Sequence, residues 1–143
     1  MLRAVVICFF VVLSAGCARH DEVARSPSPD RALDAVVIEG NGGATTSFWY
    51  DIYITKAGAP YASGLFVGSL YGAVRNESAW GVNLKWTSPV DLHVEYLSAT
   101  KATLEHPHIT LGNRSVNVTL LSGVVDATAK PGGMLYNREG RGG

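Results

Sequence analysis

Two pairs of side chains raise the question of chemistry. His93 and Glu95 stand two apart in the run Asp91-Leu92-His93-Val94-Glu95-Tyr96, and His106 and His108 flank Pro107. In an extended chain, residues i and i+2 project from the same side, so each pair presents two donor groups together. Imidazoles with a carboxylate suit zinc or copper, and a metal held there would serve a metal-assisted hydrolase. The same spacing arises on any polar strand face, and Pro107 suits a turn where both histidines meet water. The sequence favours that solvated face: no metal, no cofactor and no enzyme. Other catalytic patterns are weaker still. Gly68-Ser69-Leu70-Tyr71-Gly72 lacks the spacing of a nucleophile elbow and reads as strand. Gly40-Asn41-Gly42-Gly43 follows an apolar run, but a strand pattern succeeds it, leaving no helix N-terminus for a phosphate.

Contact chemistry is the second possibility. In Phe48-Trp49-Tyr50-Asp51-Ile52-Tyr53-Ile54-Thr55 one side carries Phe48, Tyr50, Ile52 and Ile54, and the other Trp49, Asp51, Tyr53 and Thr55. If the first side is the core, Trp49 and Tyr53 form a contact patch for a partner or a glycan. If both sides are covered, they are packing residues. Trp80 and Trp86 read as core anchors, and Arg75-Asn76-Glu77-Ser78 as a mixed-charge turn.

The elements that must position these groups have period two, not 3.6. Leu33 to Glu39 is β-branched, and Leu65 to Val74 is a long strand whose Gly68 and Gly72 mark a bulge or a close neighbour. Val82, Leu84 and Trp86 share a face, as do Leu92, Val94 and Tyr96, and again Val116, Val118 and Leu120. Leu111-Gly112-Asn113-Arg114 reads as a tight hairpin. Ser98 to Glu105 is the one weak helix candidate, and its threonines argue against it. The pattern predicts an all-β fold, a small antiparallel β-sandwich or partly open barrel of about six to eight strands.

The chain has 143 residues, enough for one domain, and 12 basic against 12 acidic side chains. That balance gives no footprint for nucleic acid. Arg3 precedes a ten-residue apolar run, Ala4 to Leu13, half the length a bilayer-spanning helix needs. A short basic start, an apolar core and small residues after it describe a secretory signal peptide.

Leu13-Ser14-Ala15-Gly16-Cys17 resembles the lipobox of bacterial lipoproteins. The leucine lies one position further from the cysteine than in the commonest form. The resemblance implies that residues 1–16 are removed and that Cys17 is lipidated, a palmitate-type anchor holding the protein to the membrane. Two acyl chains hold durably where one holds marginally. Cys8 would leave with the signal peptide, so the exported part would carry no disulfide and no thiol nucleophile. Residues 17–32, with Ser26-Pro27-Ser28-Pro29, read as the lipidated cysteine and a flexible linker. Residues 33–137 read as the β-domain, and 138–143 as a disordered tail.

The domain pattern, from Gly43 to Phe48 through Leu70 to Asn76, Gly81 to Trp86, Leu92 to Ala99 and Gly132 to Asn137, resembles small exported β-domains of Gram-negative envelopes with no assigned activity. The expectation is a periplasm-facing lipoprotein of the cell envelope, on the outer rather than the inner membrane, with a non-catalytic binding or structural domain and an envelope protein as a possible partner. Two alternatives stand beside it: an envelope immunity protein or inhibitor, and the metal-assisted hydrolase using His93, Glu95, His106 and His108.

Overall fold

A computed structural model describes residues 19–138. The expected signal peptide, Cys17 and residues 139–143 of the expected tail lie outside the described residues.

Among the described residues, eleven strands and one short α-helix follow in chain order, with a 3-10 turn at Tyr61–Ser63: β1 Arg19–Pro27, β2 Leu33–Asn41, β3 Trp49–Lys56, β4 Leu65–Tyr71, β5 Arg75–Asn76, β6 Ala79–Trp80, β7 Asn83–Ser88, β8 Asp91–Tyr96, β9 Lys101–Leu104, β10 His108–Leu111, β11 Arg114–Ser122 and α1 Met134–Arg138. They build a five-stranded sheet in the order β1-β2-β3-β4-β9, a four-stranded sheet in the order β10-β11-β8-β7, and a small β5-β6 hairpin. The fold is all-β and sandwich-like. The count exceeds the six to eight strands expected, and one pairing is not antiparallel: β11 runs parallel to β8 from Asn117 against Asp91 to Ser122 against Tyr96.

The period-two runs supply the core. Val37, Ile52, Ile54 and Leu70 from the larger sheet meet Leu92, Val94, Val116 and Val118 from the smaller one, all buried. The β2 run is buried on both of its faces from Leu33 to Gly40. Gly68 satisfies both readings offered for it. The register slips between Ile52 and Tyr53 opposite it, and a Cβ there would lie 2.3 Å from the Thr103 carbonyl oxygen of β9.

Three expectations need correction. Residues 19–27 are not a linker: β1 pairs with β2 from Arg19 against Asn41 to Pro27 against Asp34. The folded domain therefore takes in residues 19–32 and does not start at 33. The Ser-Pro-Ser-Pro stretch closes that hairpin. The Ser28 backbone N–H donates to Leu33 O at 2.8 Å, the Leu33 N–H donates to Ser28 Oγ at 3.1 Å, and the Arg31 N–H donates to Ser28 O at 2.8 Å. A buried serine and local backbone bonds thus replace the apolar residues that a strand end would otherwise need. The second correction is Arg138, expected in the disordered tail, which instead ends helix α1; Ser98 to Glu105 holds the edge strand β9, in line with its threonines. The third is Trp86, which is half-buried at a seam; its indole Nε1 donates to Ser26 O of β1 at 3.0 Å, tying the two sheets together.

One end of the core is closed by a polar plug. Arg75 Nη1 lies 3.1 Å from Glu39 Oε2 and donates to the Tyr50 hydroxyl at 3.2 Å, while its guanidinium carbon sits 3.5 Å above the Phe48 ring. Burial, aided by the Glu39 charge, pushes the Tyr50 phenol well above its ordinary value.

Candidate functional site

The histidine pairs do not converge. His108 is on β10 and His93 on β8, with β11 between them, so their backbones stand two strand spacings apart, roughly 9–10 Å. His108 is level with Asn117, which is level with Asp91, so His93 is also two residues further along. Ligands of one metal must each come within about 2.2 Å of a single point. Among the described residues, no three His, Cys, Asp or Glu side chains form such a group.

Glu95 and His108 have other partners. Glu95 Oε1 lies 3.8 Å from Lys85 Nζ. His108 Nδ1 is 2.9 Å from Asn117 Oδ1, Asn117 Nδ2 donates to Asp91 Oδ1 at 2.9 Å, and Ser88 Oγ donates to Asp91 Oδ2 at 2.6 Å. The Ser88 hydroxyl, then the Asn117 amide, hold the Asp91 carboxyl below its ordinary range. This row contains a serine, an aspartate and a histidine, but Ser88 and His108 sit at opposite ends of it. The group facing the hydroxyl is the Asp91 carboxylate, not the imidazole. His106 lies with His108, Leu65, Phe66 and Ile109 around a cleft of about 230 Å³ at the seam between β4 and β10.

Trp49 and Tyr53 project from the same outer face but into separate surroundings. Tyr53 is flanked by Tyr61 and Phe66, with ring centroids 5.4 and 5.5 Å away. Trp49 belongs to a row that crosses the whole sheet. The register places His20 of β1 opposite Gly40, Gly40 opposite Trp49, Trp49 opposite Tyr71 and Tyr71 opposite Lys101. Each strand contributes one residue.

Glycine at position 40 is required by this arrangement. A Cβ there would lie 2.0 Å from Trp49 Cε2, so the indole lies across the bare backbone of β2, an aromatic covering a strand glycine. It reaches the ring of His20 edge-on at a centroid distance of 5.7 Å. On the other side, the Tyr71 hydroxyl accepts from the Ser47 N–H at 3.0 Å, fixing the end of the exposed loop that joins β2 to β3. Trp49, Ser69, Tyr71, Lys101, Thr103 and Glu105 line a shallow groove of about 350 Å³. The groove sets two aromatic side chains beside a lysine, a glutamate and several hydroxyls.

A second hollow, about 280 Å³, went unread in the sequence. Trp80, Asn83, Asp126, Thr128 and Lys130 line it, and Asn83 Nδ2 donates to Asp126 Oδ2 at 2.9 Å. The Thr128 hydroxyl, then the Asn83 amide, hold the Asp126 carboxyl below its usual value. Asn83 alternates with the core positions and reads only as solvent-facing, while Asp126 lies in a stretch with no periodicity.

Comparison of the chain with family models, with curated proteins and with solved structures finds no significant match to any of them.

Proposed function

We propose that the chain is a lipoprotein of the bacterial cell envelope, tethered through Cys17, whose β-sandwich is a non-catalytic binding or structural module. The observation that supports a contact role is the five-residue row at one end of the larger sheet, where Trp49 and Tyr71 share a groove with Lys101. Its side chains can stack and hydrogen-bond, and none of them pairs a nucleophile with a base. The lipobox-like Leu13 to Cys17 supports the tether and the periplasm-facing, outer-membrane placement.

The test is incorporation of labelled palmitate into the full-length protein and into Cys17→Ser. Label in the wild type alone, with release of the variant from the membrane fraction, is the expected result. No label in the wild type would overturn the lipoprotein reading. About one zinc or copper per chain, lost on His106→Ala, would instead favour the hydrolase.

A further inference from the structure

We infer that the His20-Gly40-Trp49-Tyr71-Lys101 row is the face that the domain presses against the lipid headgroups of its own membrane. This rests on the tether proposed above and names the partner of that surface.

The observation behind it is the start of β1. Among the described residues strand pairing begins at Arg19, opposite Asn41, so Cys17 lies only two residues before the paired sheet. A chain extends at most about 3.6 Å per residue, so the Cys17 and His20 Cα atoms cannot be more than roughly 11 Å apart. The headgroup layer of one leaflet is about 5–8 Å deep, taken as half the difference between the full bilayer and its hydrocarbon core. A lipid on Cys17 therefore puts His20 in that layer or just above it, and the edge-on contact of His20 with Trp49 carries the row along. The several-nanometre stand-off that a flexible linker would give is gone.

The residues at this end suit the location. Tryptophan and tyrosine concentrate at membrane interfaces, where one end of the ring system is apolar and the other wet. Lysine lays its apolar stem along such a surface and keeps its charge in water. The row spans four strand spacings, roughly 19 Å, wide enough to settle flat rather than touch at one corner. The loop between β2 and β3 hangs from the same end, and all of its residues from Asn41 to Ser47 are exposed. The opposite end is far away. There the β1-β2 turn is joined to the β10-β11 hairpin by the Arg114 to Asp30 ion pair, a nine-residue strand (roughly 27 Å) from the row. Charge is close to balanced, so the tether and the aromatic groups set this contact, and attraction to anionic lipid does not.

The experiment uses the mature acylated protein in phosphatidylethanolamine and phosphatidylglycerol vesicles, with an environment-sensitive fluorophore on one introduced cysteine. Thr45→Cys and Lys101→Cys report on the row's end, and Asn113→Cys on the far hairpin. All three sites are exposed, so none of the substitutions disturbs the core. The expected result is blue-shifted emission at positions 45 and 101, quenched by lipids brominated near the headgroup, with no change at 113. Protein that carries palmitate and floats with the vesicles, yet shows no shift at 45 and 101, overturns this inference and leaves the lipoprotein reading intact. A shift that grows with protein density at constant lipid assigns the row to a second copy of the chain, and also overturns it. Protein that takes up no palmitate removes the tether and the inference together.

Discussion

Arg75→Ala would leave the Glu39 carboxylate at the end of the core without its cation. The Glu39 side chain is 5% exposed and the ion pair measures 3.1 Å, so water cannot replace the lost partner without opening the plug. Breaking a buried pair by removing one member typically costs about 3–5 kcal/mol. The lost contact with the Phe48 ring adds about 0.5–1 kcal/mol. The sum sits near 4 kcal/mol at neutral pH, a melting-point drop on the order of 10–20 °C for a domain of this size. Urea unfolding at neutral pH measures it. A penalty under about 1 kcal/mol would refute the claim that Arg75 neutralises a buried charge.

Trp86→Ala should lose about 2–4 kcal/mol, less than a fully buried tryptophan, and Trp86→Phe about 1 kcal/mol for the bond to Ser26; equilibrium denaturation separates the two. Arg25 hydrogen-bonds Glu22 at 2.8 Å through both carboxylate oxygens and holds its carboxyl below the ordinary 4.5. The stability this adds is present above about pH 4.5 and is lost as pH falls through the lower folded value, so Glu22→Gln should flatten the acid side of a melting curve against pH. A chain begun at Leu33, without β1, should aggregate, because it bares the edge of a strand whose residues from Leu33 to Gly40 are buried. A monomeric 33–138 fragment with the near-ultraviolet circular dichroism of the longer protein would contradict that.

Strands that bury one face were legible because burial imposes alternation, which β3 follows from Trp49 to Ile54, β8 from Asp91 to Glu95 and β11 from Ser115 to Thr119. The β1 strand was not, for two physical reasons. It is a sheet edge, where charged residues such as Glu22 and Arg25 are tolerated and even useful against mispairing. It also carries a bulge between Glu22 and Ala24, so its alternation breaks where Val23, its one large buried apolar residue, enters the core. Strand order was beyond reach for a different reason. The parallel pairing of β8 with β11 depends on which long connection crosses the sandwich, and no local pattern records that. Arg75 shows the same limit at a single side chain. Its neighbours form a two-residue hairpin, as a turn reading implies, but its partner Glu39 is 36 positions away.

The contact surface was half legible, and the missing half explains how Trp49 and Tyr53 came to be grouped. Alternation alone puts both on one face, and that is where they project. It cannot say that four residues along a strand, roughly 13 Å, separate them into two clusters. A better signal lay in the loop. If residues 41–48 close an antiparallel hairpin, Gly40 must face Trp49, since the residues flanking a hairpin loop pair with each other. A glycine opposite a tryptophan is room for an indole to lie down, and the structure fills that room. From that pair outward, the row grows only as strand order is known. Tyr71 follows from the β3-β4 hairpin, but Lys101 and His20 depend on β9 and β1 taking the two edges. His20 belongs to the strand that looked like a linker. The surface and the proposed tether therefore became connected only when residues 19–27 joined the sheet.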